Sequence, residues 1–291
     1  SPEHLYLKAL GGSEATALRV LGRITQWAEV RTAFSTPDSE LRDWADLTIV
    51  MRNPLDCRYV KNPVLWMHDL MFGAPELEEA REILRDVNPP IVGVSEFHKK
   101  HLEEFFPGQR ITRIFNPVDE VWALEVRKVH DDRKVLFTSS PHKGFDKTLG
   151  TFMELVQRDP SFRFYYCNPG YWSGPHIQTK RIHDLGSIPH PNVLKHVQSS
   201  LCVLQVNDVF SETFGIVYAE ANAVGTPVLT YDLGAAKEVL AQDGRQVLPL
   251  GSPTSAFVDR IIEFSTDRPK VNLDPRFALS RIADEWMALL R

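Results

Sequence analysis

The chain has 291 residues, with 33 Lys and Arg against 38 Asp and Glu, a formal charge of −5. Its 43% hydrophobic and 24% charged content is ordinary globular usage, which excludes a disordered, collagen-like or coiled-coil chain, and no apolar run approaches the roughly 20 residues of a membrane span. The mild acidity argues against a nucleic-acid partner, because such proteins carry a basic footprint. Cys57, Cys167 and Cys202 are odd in number, far apart and form no C-x-x-C pair. They read as thiols in a reducing compartment rather than as disulfides or a zinc site. No apolar leader with a small-residue cleavage site opens the chain, and its expected location is the cytoplasm.

In chain order, short segments rich in β-branched and aromatic residues predict strands at Ala28–Phe34, Asp46–Arg52, Pro63–His68, Pro90–Ser95 and Thr112–Asn116. A second set lies at Lys134–Ser139, Phe162–Asn168, Ile182–Gly186, Leu201–Asn207, Thr226–Asp232 and Gln246–Leu250. Several are continuously apolar, as strands covered on both faces must be. Helical patterns fall between many of them, at Ser13–Ile24, Glu76–Asp86, Glu96–Phe105, Phe145–Arg158, Pro191–Ser199, Phe214–Val224 and Ala235–Leu240. Ala256–Phe264 and Pro275–Leu290 follow. This alternation predicts an α/β fold built on parallel sheets.

Asn116-Pro117-Val118-Asp119 reads as a turn, and a charged stretch from Glu125 to Lys134 follows it, so a domain boundary is expected near residue 122. Residues 1–122 carry 14 Lys and Arg against 19 Asp and Glu, whereas the remainder holds 19 of each. Neither half has the basic field that would hold anionic lipid strongly.

The most informative stretch is Ser211 to Pro227, SETFGIVYAEANAVGTP. Its apolar positions suit a helix packed on a sheet, ended by Gly225 and Pro227 and starting around Thr213–Gly215. Free N–H groups of Phe214, Gly215 and Ile216 at that start would suit a phosphate, and Gly215 would let the backbone approach it closely. Glu212 and Glu220 flank the site, and carboxylates accept hydrogen bonds from sugar diols. A diphosphate between two polyhydroxylated rings, a nucleotide sugar, satisfies both requirements.

Glu212 and Glu220 with Phe214-Gly215 between them, followed by Gly225-Thr226-Pro227 and by Asp232, Gly234 and Glu238, resemble the E-x7-E region of the retaining glycosyltransferases of family 4. That resemblance implies the GT-B architecture: two Rossmann-like domains facing a cleft, here 1–122 on the acceptor side and 123–274 binding the nucleotide sugar. It also implies that a terminal helix, 275–291, crosses back to the first domain. It gives Glu212 to the transferred sugar and Glu220 to the ribose, with Thr213 and Phe214–Ile216 beside the donor. Gly11-Gly12-Ser13-Glu14 resembles the family's glycine loop near the donor phosphates; a plain helix N-cap by Ser13 explains the same residues. Trp66-Met67-His68-Asp69 resembles the position whose His lies beside the reacting sugar, and Val94-Ser95-Glu96 a strand-to-helix turn that Ser95 can cap unaided.

After the strand at Lys134–Ser139, Ser140, His142 and Lys143-Gly144 stand where the family places Arg and then Lys-Gly against the diphosphate. Lys143 matches; the Arg is absent, with Thr138 and Ser139 in its neighbourhood, so donor charge falls to Lys143, the helix start, hydroxyls and His142. Leu5-Tyr6-Leu7 offers only a stub of the family's first strand, and a truncated or minimal first domain is expected. Tyr165, Tyr166, Tyr171 and Trp172 suit base stacking and ordinary packing equally well. Lys99, Lys100 and His101 suggest weak membrane contact, although Glu96, Glu103 and Glu104 beside them favour a solvated face.

The function implied is sugar transfer, with retention, from a nucleotide-diphosphate sugar to a glycan, lipid-linked or other hydroxyl acceptor, with His68, Lys143 and Glu212 as catalytic residues. No cofactor is expected, and the absence of a D-x-D motif fits a metal-independent site. Rival readings are a GT-B epimerase or phosphorylase, a non-catalytic nucleotide-sugar-binding module, and, weakest, a dehydrogenase, which lacks the G-x-G-x-x-G turn.

Overall fold

A computed structural model describes residues 11–33, 39–71, 76–124, 130–168 and 176–291. The first half runs α1 (Gly12–Ile24), α2 (Ser39–Trp44), β1 (Thr48–Met51), a 3₁₀ turn (Pro54–Tyr59), β2 (Pro63–Trp66), α3 (Glu76–Val87), β3 (Ile91–Gly93), α4 (Glu96–Phe105), β4 (Ile111–Arg113) and α5 (Glu120–Leu124). The second runs β5 (Asp131–Phe137), α6 (Phe145–Arg158), β6 (Arg163–Tyr166), β7 (Ile182–Asp184), α7 (His190–Gln198), β8 (Ser200–Gln205), α8 (Ile216–Ala223), β9 (Val228–Tyr231), α9 (Ala236–Val239), β10 (Val247–Leu248), α10 (Thr254–Phe264) and α11 (Leu279–Leu290). Two all-parallel sheets result, in the orders β1-β2-β3-β4 and β10-β9-β8-β5-β6-β7. The expected α/β class is what is observed.

Burial follows the patterning. All four residues of β2, all six of β8 and all four of β9 are buried, which requires helices on both sheet faces. One apolar core joins the two halves: Trp66, Val92 and Val94 from the first sheet meet Leu136, Val203 and Phe214 from the second, with Phe277 and Trp286 beyond them. The outer faces have their own cores, under α3 and α4 in the first half and under α6 and α10 in the second.

The last helix pattern splits into a 3₁₀ turn at Pro275–Phe277 and α11. Between them the chain pairs with the segment after β4: Val118 N–H donates to Phe277 O at 2.7 Å and Leu279 N–H to Val118 O at 3.0 Å. The α11 helix then packs on α1, and its Trp286 ring lies 4.6 Å from that of Trp66. No strand forms over Ala28–Ala33, contrary to expectation; Phe34 lies outside the described residues. In that stretch only Val30 is half-buried, Glu29 pairs with Arg31, and Arg31 stacks over Trp44. An alternating pattern without an apolar face to bury has nothing to pair it into a sheet. Leu5, Tyr6, Leu7, Tyr171 and Trp172 also lie outside the described residues.

Candidate active site

In a doubly wound sheet, ligands bind beyond the C-terminal strand ends where the strand order reverses. Here that point lies between β5 and β8, and the loops leaving it carry the residues singled out by sequence. After β5, Lys143 N–H donates to Ser140 O at 2.9 Å and Phe145 N–H to Pro141 O at 3.0 Å, which coils the loop above buried Ser139 and Ser140. Gly144 ends it at φ +89°, where a Cβ would lie 2.4 Å from Val206 O. Only glycine lets this loop lie directly on the one after β8. That second loop is wound by Asn207, whose Oδ1 accepts from Val209 N–H and Phe210 N–H and whose Nδ2 donates to Phe210 O.

The two loops bring Lys143 Nζ to both carboxylate oxygens of Glu212, at 2.8 and 3.0 Å. The lysine side chain is 30% exposed and the glutamate 14%, so the pair is fixed by protein yet open to a ligand. His142 packs edge-on against Phe210, and burial, then neighbouring Lys143, lower its pKa from the usual histidine value, favouring the neutral ring. The Glu212 backbone is held in turn: Ala235 N–H donates to its carbonyl at 2.9 Å, and Gly234, at φ +67°, passes so close that a Cβ would sit 2.4 Å from that oxygen.

Thr213 links this loop to the first sheet. Its Oγ1 donates to His68 O at 2.7 Å, and its carbonyl accepts from Ser95 Oγ. Ser95 also caps α4, as its place in the sequence suggested, accepting from His98 N–H at 2.9 Å. His68, just past β2, is buried beside Trp66, and its Nε2 has no hydrogen-bond partner. Burial, with His98 and Arg52 adding to it, pushes its pKa down to about 3, so the ring is neutral at physiological pH. A buried, neutral ring nitrogen without a protein partner has its hydrogen-bonding capacity free for a bound molecule.

Three details differ from expectation. The α8 helix begins at Ile216, capped by Gly215 at φ +78°, because Phe214 is drawn into the core against Phe115 and Phe277. The free N–H groups of a helix start therefore belong to Ile216 and Val217, with Phe214 ahead of the helix. At the glycine loop, Gly11 rather than Ser13 is the N-cap of α1, and no side chain caps it. Gly12 abuts α8, where a Cβ would lie 3.0 Å from Ile216 Cγ2. Glu220 is not a two-oxygen acceptor awaiting a diol. Its Oε1 receives Arg19 Nη2 at 2.5 Å and His190 Nε2 at 2.9 Å. Burial works to raise its pKa, but His190 and Arg19 outweigh that and hold it at about 2.

Arg19 and His190 are the residues that sequence reading missed. A signal existed: Arg19 interrupts an apolar stretch of α1, and Glu220 is the one charge in α8. Two such charges of opposite sign are expected to find each other. Elsewhere, Tyr165 stacks on His183, and Tyr166 bonds the backbone of Ile177; both are engaged in packing. On α4, Lys99 pairs with Glu103 and His101 accepts from Met71 N–H. Among the described residues no helix is long and apolar enough to cross a membrane.

Residues 174–278 match the family described as Glycosyl transferases group 1. No curated protein matches the chain by sequence. Among solved structures, Anabaena HepE in complex with UDP superposes with a TM-score of 0.67 at 16% identity, over 86% of this chain and 80% of that one. AviGT4, a glycosyltransferase involved in avilamycin A biosynthesis, gives 0.66 at 15% identity over 97% and 90%. TarM of S. aureus gives 0.63 at 14% identity over 95% of this chain, which spans 58% of TarM. The fold of this chain is that of the GT-B glycosyltransferases.

Proposed function

We propose that this chain transfers a sugar, with retention of configuration and without a metal, from a nucleotide-diphosphate sugar to the hydroxyl of a carbohydrate or lipid-linked acceptor. The observation that carries the reading is the Lys143–Glu212 pair at the switch point of the second sheet, stapled through Thr213 to His68 of the first. Lys143 and the Ile216 and Val217 amides would stabilise the charge that grows on the diphosphate as its bond to the anomeric carbon breaks. A donor displaces the lysine from one side of the carboxylate, and Glu212 then accepts hydroxyls of the transferred sugar. Neutral His68 bonds that sugar from the opposite wall. The acceptor oxygen forms the new bond on the face the leaving group departs from, and its proton passes to the departing diphosphate.

The complexes of HepE with UDP-glucose and of TarM with UDP lend support, as does the match of 174–278 to a glycosyltransferase family. We place the division between the acceptor and donor domains near residue 122 and the protein in the cytoplasm. The three buried free thiols, whose pKa values burial raises to about 12, suit a reducing compartment.

A thermal-shift screen against UDP, GDP and ADP sugars identifies the donor, because a ligand of the folded state raises the midpoint. Transfer assayed with that donor should fall at least a hundredfold in Lys143→Ala and Glu212→Ala while both variants keep the wild-type circular dichroism. Wild-type turnover in either one overturns the reading. Epimerised donor without transfer would make the protein an epimerase.

A further inference from the structure

Met67 N–H, at the end of β2, still donates to Val92 O in the neighbouring strand, at 2.9 Å. Beyond it the backbone that carries His68 is held by side chains instead. His68 O accepts from Thr213 Oγ1 at 2.7 Å, Asp69 O lies 3.0 Å from His98 Nε2, and Met71 N–H donates to His101 Nε2 at 2.8 Å. The peptides on either side of Asp69 are therefore both anchored, and with them the backbone that aims the His68 ring. Each residue has only two soft backbone torsions, so two fixed peptides leave Asp69 little freedom.

The partners of His98 settle its tautomer. Val94 N–H can only donate and lies 3.3 Å from Nδ1, whereas Asp69 O can only accept. Nδ1 therefore holds the lone pair and Nε2 the proton. Burial pulls the pKa down to about 4, so this neutral form persists at physiological pH. An apolar side chain in the same fully buried place would leave the Val94 amide and the Asp69 carbonyl without these partners. The N-cap of the same helix, Ser95, donates to Thr213 O, so α4 also touches the loop that carries Glu212.

We infer that His98 is a positioning residue: through the Asp69 carbonyl it aims His68, whose Nε2 has no protein partner, at the transferred sugar. It rests on the reading of His68 given above and adds a buried group that itself meets no substrate.

Two substitutions separate the two ring nitrogens. Asparagine can offer an oxygen where Nδ1 stood but ends short of Asp69; glutamine reaches Asp69 with a donor amide. With the nucleotide sugar selected by the thermal-shift screen, turnover should fall about tenfold or more in His98→Asn. Calorimetric affinity for the nucleoside diphosphate alone should stay within about twofold, because His68 meets only the sugar. His98→Gln should recover turnover to within about threefold of the wild type. In a His68→Ala background, His98→Asn should cost no further turnover, since no ring is left to aim. A histidine with only a structural duty would lower turnover alike in His98→Asn and His98→Gln, or add its loss to that of His68→Ala. Either result overturns the inference and leaves the donor site standing. If His98→Asn does not fold, the wild type decides: ring-nitrogen NMR, assigned by the signals lost in His98→Gln, should show the Nε2–H tautomer, and the Nδ1–H tautomer overturns the inference. Wild-type turnover in His68→Ala, or no transfer by the wild type, overturns the reading of the site itself, and this inference with it.

Discussion

At the residue scale the site depends on a few backbone positions that admit no side chain. Gly234 is the clearest. It lies at φ +67° with the Glu212 backbone against its Cα, so alanine there is strained twice, by conformation and by contact. Gly234→Ala should cost about 2 kcal/mol or more in urea denaturation. It should also reduce turnover out of proportion to the loss of stability, since it pushes Glu212 away from Lys143. A variant with wild-type kinetics would mean that Glu212 need not be held so closely. Gly215 was legible from residue type and its place at a helix start, and Lys143-Gly144 only through the family resemblance. The Arg19–Glu220 contact was not, because nothing in a one-dimensional pattern says which oxygen of a carboxylate is occupied. Its two charges stand 201 residues apart.

At the element scale, α4 shows how the two halves share a helix terminus. The first amides of a helix need acceptors. Ser95 serves His98 N–H, while the carboxylate of Glu238, from α9 in the other half, accepts from Glu96 N–H at 3.0 Å and Phe97 N–H at 3.3 Å. The contact is a charge-assisted cap at the positive end of the helix dipole. Glu238→Ala should lower stability by about 1 kcal/mol in denaturant titration, with Glu238→Gln losing less because an acceptor oxygen remains. Equal stability of all three proteins would show that water replaces the cap. The α4 and α6 helices, each with several turns and a regular apolar spacing, were found in the sequence to the residue. Ala28–Ala33 was misjudged, and α2 and α5 were not foreseen. The described side chains of these short segments bury little, and the segments owe their form to neighbours that a local pattern does not contain.

At the scale of the whole molecule, the core between the halves encloses ionisable groups in fixed states, and this sets the response to acid. Burial and its neighbours hold His68 near 3, and burial holds His98, whose two ring nitrogens are both bonded, near 4. In the unfolded chain both take up a proton near 6.5. Their neutral burial therefore costs nothing above about pH 7, and stability is lost as pH falls from about 6.5 toward 4, on the order of 3 kcal/mol per histidine by the end of that range. Glu220 acts in the same sense lower down, its contribution being present above the ordinary glutamate value and lost as pH falls toward 2. Melting temperature should therefore decline steadily between pH 7.5 and 4.5, less steeply in His68→Asn. A flat profile would show that these rings are hydrated in solution.

The meeting of Gly12 with Ile216 ties together positions 204 apart in the chain, with only about 3.0 Å between where a Cβ would stand and the isoleucine methyl. A methyl added at Gly12 obliges the Ile216 side chain to give by a few tenths of an ångström, so space at this seam is shared between the first helix and the helix behind Glu212. A larger residue at 12 should therefore be tolerated best where residue 216 is smaller.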